Sequence, residues 1–354
     1  MLNLIKKTFF LFIFCLVILC SGVLFYHVVF ESPPQIGMTG IIDDNSGALN
    51  PESVAYQPSA VGEGFGIGLY DAPFHIPDHS LHYSKELLEN ESFKGYLYIN
   101  NQLAENNSFL IFCLVDYNQT SFSCDGSEKG ILHKISLNPF EERFVQFSID
   151  PLEKGVHDFE IFTLLKTDQH SLNKSFRLST DFSYLGSKRM NLFVVDDKLP
   201  EVQYTNFSLL SASNCGYDYP INDGIILTKE PCSSKGWFTE DVRSGEVLHY
   251  WINLAADKEY PVSFAVITLL DYKQVPLRTN MHDKCWFGSL SAGEKISVPA
   301  SIISPSEDGV HELMSIYLPL PYQRLETSPG VPTQFNQWTW SEPSIRIGLN
   351  VSTV

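Results

Sequence analysis

Between Asp71 and Tyr83 the chain reads DAPFHIPDHSLHY, which puts His75, His79 and His82 together with Asp71 and Asp78 inside twelve residues. Imidazole and carboxylate are the ligands zinc takes, and imidazole also suits copper, so the three histidines form a candidate metal-ligating set. The plainer reading is a polar entry segment that Pro73 and Pro77 hold extended, and scattered histidines usually mean that. No cofactor is expected on this basis. Zinc titration of the intact chain, with and without His79→Ala, separates the two readings.

Other chemistry is sparse. A glycosidase or metal-assisted hydrolase needs two carboxylates a few ångströms apart, or a metal. Asp116 and Asp271 are the acidic residues that recur at equivalent places in one motif, and each reads as the end of a strand. The sequence lacks a G-x-S-x-G elbow, an H-E-x-x-H helix, a C-x-x-C pair and a P-loop. GEGFGIG (Gly62–Gly68) lacks dinucleotide-binding spacing and no helical pattern follows, so it reads as the end of a flexible linker. The expectation is a non-enzyme; the alternative is a carbohydrate-active enzyme of the envelope.

Of seven cysteines, Cys15 and Cys20 lie in a long apolar run. Cys215 and Cys232 bracket GYDYPINDGIILTKEP, which reads as an insertion peculiar to the second half of the chain, and they are the disulfide candidate. Closing that loop would contribute about 3 kcal/mol. Cys113, Cys124 and Cys285 leave an odd count with no evident pairing. Cys124 and Cys285 each follow a long central strand and read as one shared loop position. Six N-x-S/T sequons (Asn90, Asn106, Asn118, Asn173, Asn206, Asn350) are acceptors if the source glycosylates.

The elements that must position these residues are written twice. IDPLEKGVHD (Ile149–Asp158) returns as ISPSEDGVHE (Ile303–Glu312), at an offset of 154. SFLIFCLVDYNQ (Ser108–Gln119) returns as SFAVITLLDYKQ (Ser263–Gln274) at an offset of 155, with six of twelve positions identical. LYIN (Leu97–Asn100) faces YWIN (Tyr250–Asn253) in the same order. Two blocks keeping register to one residue imply tandem duplication of a whole domain. Short apolar runs rich in Tyr, Phe and Val, punctuated by Gly, Pro, Asn and Asp, predict antiparallel sandwiches, and helical periodicity is not sustained.

In the doubled motif, Pro151 and Pro305 end a strand and Gly155 and Gly309 supply a turn that side chains resist. His157 and His311 then point back to the corner, where a ring N–H can bond a loop carbonyl. These four residues are read as a structural corner. LSAGEKISVPASIISPSEDGVHELMSIYL (Leu290–Leu318) resembles the second half of the immunoglobulin-like domains of prokaryotic surface proteins, the cell-adhesion-related bacterial kind in particular. That family shares a leucine, small residue, Gly-Glu turn, an alternating strand and a Gly-x-His or Gly-x-Tyr corner. The first copy keeps the corner but has LNPFEER at the turn, and the likeness covers about a fifth of the chain. It implies an immunoglobulin-like fold and, by analogy, adhesion or scaffolding. The core disulfide and tryptophan of antibody domains are missing from the pattern.

From Thr8 to Phe30 there is no Asp, Glu, Lys or Arg, and a helix of that length spans roughly 30–35 Å, enough for a bilayer core. An uncleaved anchor is favoured over a cleaved signal because the run is long and ends without a small-x-small site. Lys6 and Lys7 precede it while Glu31, Asp43 and Asp44 follow, which keeps the N-terminus cytoplasmic. The net charge is −17, with every acidic residue after Phe30, a poor match for nucleic acid. The expected chain is all-β: a cytoplasmic tail (1–7), a transmembrane helix (8–30), a flexible linker (31–68) and two tandem immunoglobulin-like antiparallel β-sandwiches (69–198 and 199–354). The expected protein is single-pass in the cell membrane with extracytoplasmic domains. It would bind a protein or glycan partner, adhere or scaffold; a role as accessory subunit of a membrane complex is the other alternative.

Overall fold

In the computed structural model the chain divides into two units, Met1–Gly62 and Glu63–Val354. The residues described are 64–70 and 83–353, except 180–181, 183, 217–220, 222, 234, 280–281, 329–330 and 333–340. The apolar run Thr8–Phe30 and the candidate ligands His75, His79 and His82 lie outside them. Among the described residues no helix is long and apolar enough to cross a membrane.

The second unit is almost wholly β. Its first half comprises β1 (Phe65–Tyr70), β2 (Ser84–Leu87), β3 (Lys94–Asn101), β4 (Asn107–Val115), β5 (Asn118–Thr120), β6 (Phe122–Cys124), β7 (His133–Leu137), β8 (Glu142–Ile149), β9 (Gly155–Leu165) and β10 (Leu185–Val194). A four-residue helix, α1 (Lys174–Arg177), lies between the last two and is capped by the Asn173 side chain. The second half continues with β11 (Ser213–Asn214), β12 (Gly224–Thr228), β13 (Thr239–Arg243), β14 (Val247–Ala255), β15 (Val262–Leu270), β16 (Lys273–Val275), β17 (Cys285–Leu290) and β18 (Lys295–Ile303). It closes with β19 (Gly309–Pro319), β20 (Glu326–Ser328), β21 (Val331–Pro332), β22 (Glu342–Pro343) and β23 (Ile347–Ser352).

Each half is two sheets around its own core. In the first, the small sheet runs β1-β3-β8-β6 and the large one β2-β10-β9-β4-β5, with β7 on β4. In the second, the orders are β12-β14-β18-β11 and β13-β23-β19-β15-β16, with β17 on β15. The orders correspond strand for strand except at one edge of the small sheet, which β6 fills in one half and β11 in the other, and at β22, which pairs β19 in the second large sheet without a counterpart in the first. Two ladders depart from the expected antiparallel plan, since β2 on β10 and β13 on β23 are parallel. The architecture is coarsely immunoglobulin-like.

The boundary between linker and sandwich needs correction. Phe65–Tyr70 pairs along its whole length with β3, so Gly66 and Gly68 are strand residues and not a linker end. Phe65 and Leu69 are buried in the first core, which the glycine-rich spelling obscured. A count of two separate modules also fails. A third buried cluster contains Leu110, Phe112, Leu114 and Phe162 of the first half and Ala265, Ile267, Leu269, Met314, Ile316 and Leu318 of the second. The large sheets therefore pack face to face. Their central strands bury both faces, which is why FLIFCLV reads as an unbroken apolar run instead of an alternation.

Candidate functional site

The repeated Asp-Tyr dipeptides close two-residue hairpins, between the Val115–Asn118 and Leu270–Lys273 pairs. All four central residues have positive φ, 50° and 64° at Asp116 and Tyr117, 48° and 64° at Asp271 and Tyr272. That is the turn whose twist suits a hairpin, normally built with Asn and Gly. Side chains resist it, so surrounding bonds must hold it.

Those bonds come from the doubled corner. Asp116 Oδ1 accepts the Asp158 N–H at 3.0 Å, and its Oδ2 lies 2.6 Å from His157 Nδ1. The other ring nitrogen lies 2.8 Å from the Glu153 carbonyl. In the second half Asp271 meets the Glu312 N–H at 3.0 Å and His311 Nδ1 at 2.6 Å, and His311 Nε2 lies 2.9 Å from the Glu307 carbonyl. A ring whose two nitrogens both face acceptors satisfies both only by donating from both, so this setting favours the imidazolium. The hydrogen bond from His157 to the Asp116 carboxylate raises the His157 pKa against the cost of burial. At His311 burial is the largest influence and lowers the pKa, but the bonds to Asp271 and the Glu307 carbonyl together with the charges of both acids raise it overall. The corner glycines, Gly155 and Gly309, have φ of +142° and +133°, which side chains rarely adopt.

The rest of the motif serves the seam between the halves. Gln119 Oε1 accepts the Gln274 N–H at 2.8 Å, and Gln274 Oε1 accepts the Gln119 N–H at 2.7 Å. Their side-chain amides donate to the Tyr272 and Tyr117 carbonyls, each at 2.8 Å. This reciprocity is the signature of a twofold interface, here between halves of one chain. Tyr117 donates to Asp158, which also accepts from Arg189, Asn191 and the Tyr322 N–H. Arg189 reaches across to the Pro319 and Leu320 carbonyls at 2.5 and 2.7 Å. Its counterpart Arg346 reaches back to the Leu165 carbonyl at 2.9 Å and to Phe182, and meets Tyr272 Oη at 3.2 Å. Glu160, fully buried beside Arg189, accepts from Ser341, and burial pushes its pKa up to about 7.

Asp116 and Asp271 thus each hold a corner of their own half. Among the described residues no group of three or more His, Cys, Asp or Glu is placed to hold a metal. Cys215 and Cys232 form a disulfide that packs on Ile221 and Ala255. The segment they bracket is not peculiar to the second half, because it includes β12, which pairs β14 as β1 pairs β3. The shared position read for Cys124 and Cys285 also fails: Cys124 is on β6 in a small sheet, Cys285 on β17 in a large one. Burial raises the Cys124 thiol to about 12 and places Cys113 and Cys285 higher still, so none is a ready nucleophile. A core tryptophan exists in the second half after all; Trp286 is buried, but on β17.

One grouping went unread in the sequence. On the solvent side of the first small sheet, Tyr70, Tyr98 and Phe144 sit together, with ring centroids 6.2, 5.6 and 5.1 Å apart. Leu97 and Ile99 point into the core, so Tyr96, Tyr98 and Asn100 alternate outward. The legible signal was period two: G-x-G-x-Y on β1, Y-x-Y-x-N on β3 and E-x-F on β8.

No protein-family model matches the chain, and no curated protein matches it. Among the solved structures that are similar in part are two of the CARDB domain of a Pyrococcus furiosus protein. The crystal structure, in complex with di-metal ions, is 13% identical with a TM-score of 0.22, covering 37% of this chain and 86% of that one. The solution structure is 16% identical with a TM-score of 0.21, covering 37% and 99%. At such scores these likenesses carry no argument about this chain.

Proposed function

We propose that the chain is a membrane-tethered, extracytoplasmic binding protein whose twin immunoglobulin-like sandwiches form one stiff body. The observation that carries this reading is the seam. Of the repeated residues, Gln119 and Gln274 join the halves, while Asp116 and Asp271 each hold a corner of their own half. A body fused in that way keeps its outer sheet faces at fixed spacing for a partner. The uncharged run Thr8–Phe30 supports the tether, and Lys6 and Lys7 immediately before it support a cytoplasmic N-terminus with the body outside. The test is protease digestion of intact cells expressing the full chain. The body is expected to be cut from outside without permeabilisation, with uncut chain in the membrane pellet and resistant to carbonate extraction. Protection in intact cells, or recovery in the soluble cytosolic fraction, would overturn the reading.

A further inference from the structure

Four aromatic side chains on the outer face of one small sheet are unusual for a surface that has only to meet water. In register, Tyr70 of β1 lies opposite Tyr96 of β3, and Tyr98 lies between Gly68 and Phe144. All four rings are partly exposed. Gly68 explains the arrangement: a Cβ there would meet Tyr70 Cε2 at 2.5 Å. The Tyr70 ring therefore lies back over the glycine. With Gly68 beneath it and Tyr98 and Phe144 beside it, the Tyr70 ring stays partly exposed. Tyr98 stands at 86° to it, making a wall beside a floor.

Polar groups rim the rings. Asn100 Nδ2 donates to Glu142 Oε1 at 3.1 Å. The Tyr98 hydroxyl lies beside the same carboxylate, and burial together with Glu142 keeps that hydroxyl protonated. Glu142 is exposed and retains acceptor capacity. An apolar peptide laid on the shelf would strip water from this carboxylate and hydroxyl without replacing their bonds. A pyranose ring meets both demands, since its C–H face stacks on an aromatic face and its hydroxyls bond the rim. The carboxylate and the overall charge of −17 select against acidic sugars.

We propose that Tyr70, Tyr96, Tyr98 and Phe144, with Asn100 and Glu142, form a binding shelf for a neutral carbohydrate chain. The shelf belongs to the first half alone. The second half keeps an aromatic and an asparagine at the matching places, Trp251 and Asn253, and both asparagines are buried, but the Asn253 amide is given to Thr228 and Ile226 of β12 where that of Asn100 is given to the exposed Glu142. Ser297 stands opposite Asn253 where Glu142 stands opposite Asn100.

This inference rests on the extracytoplasmic binding role proposed above, and its test is separate from the protease experiment. The full chain, held in a detergent that is not itself a glycoside, is passed over immobilised mannan, β-glucan and chitin, with heparin as the acidic control. Retention on at least one neutral polymer, eluted by its own oligosaccharide and absent on heparin, is the expected result. Tyr70→Leu and Glu142→Gln should each weaken retention roughly tenfold, the effect of losing one stacking or hydrogen-bonding contact. Trp251→Ala should leave it unchanged, and thermal unfolding of the variants should match that of the parent. No retention on any neutral polymer overturns the shelf, as does retention that neither shelf variant weakens. A body cut from outside in intact cells that fails to bind these polymers would sink this inference and leave the proposed role standing.

Discussion

The two halves meet the same burial problem at the seam with different residues. In the first, Asp158 is served within its own half by Arg189, Asn191 and Tyr117, and the other half adds only the Tyr322 N–H at 2.7 Å. In the second, Glu312 takes a bidentate bond from Arg177 at 2.8 and 3.1 Å, and that arginine belongs to α1 of the first half. The place of Asn191 is occupied there by Gly348, and a Cβ on that glycine would lie 2.1 Å from Arg177 Nη2. One half satisfies its acid locally; the other leaves a gap that its neighbour fills. A duplicated surface has thereby become one that neither half completes alone.

The largest expected effect comes from closing that gap. Gly348→Ala must expel the Arg177 guanidinium and leave Glu312 buried without its cation, at a cost of about 3–5 kcal/mol in urea denaturation at pH 7. Burial already raises the Glu312 pKa against the pull of Arg177, so the loss should shrink as pH falls and the carboxyl takes a proton. Asn191→Ala, the matching lesion in the first half, should cost only about 1–2 kcal/mol because Arg189 and the Tyr322 N–H remain. Equal losses at the two places would contradict the contrast.

Next comes Glu160, whose counterpart in the second half is Met314. Its pKa is about 7 in the fold against 4.5 in an unfolded chain. Between those values the native state binds more protons than the unfolded one, so stability falls as pH rises from about 4.5 to about 7. Glu160→Gln keeps an acceptor for Ser341 and removes the slope, with a gain of up to about 3 kcal/mol above pH 7. Denaturation at pH 5 and pH 8 measures it; a variant with the parent's slope would assign the pH dependence elsewhere. By contrast, Gln119→Ala and Gln274→Ala should each cost about 1–2 kcal/mol through their reciprocal bonds, Gln274→Ala slightly the more because its amide also donates to the Lys284 carbonyl at 3.0 Å.

Much of the sandwich pattern was legible because it rests on local rules. Proline ending a strand, glycine at positive φ and short apolar runs placed the doubled corner. The Asp-Tyr hairpins were not legible as turns because they lack the usual glycine, and their left-handed backbone is imposed by contacts some forty residues away. Gln119 and Gln274 were visible as identities but carried no sign that each bonds the other's backbone. The seam was written in the unbroken apolar β4 and β15, a pattern that marks burial on both faces without saying what covers the second. Arg177 could not be placed at all, since its role depends on an absent side chain at residue 348. The aromatic shelf alternates cleanly on β1, β3 and β8, but the glycines of β1 read as linker and hid the strand that completes it.

The smallest effect tests how alike the corners are. A histidine whose folded pKa is raised contributes stability that is fully present below its unfolded pKa, about 6.5, and lost as pH rises through the folded value. Both His157 and His311 are raised, so both corners should weaken in the window just above neutral unfolded-chain titration, and neither should weaken in mild acid. Asp116→Asn removes the charged acceptor and should lower the His157 pKa while leaving His311 unmoved; Asp271→Asn should do the converse. The Asp116 carboxylate is 28% exposed and that of Asp271 40%, so solvent screens the second pair more. Each substitution should cost about 1 kcal/mol or less at pH 6, the first more than the second. Ring-proton titration by NMR reads the two histidines separately. If His157 titrates at the same pH with and without the Asp116 carboxylate, the corner is held by shape alone and the ion pair is incidental to it.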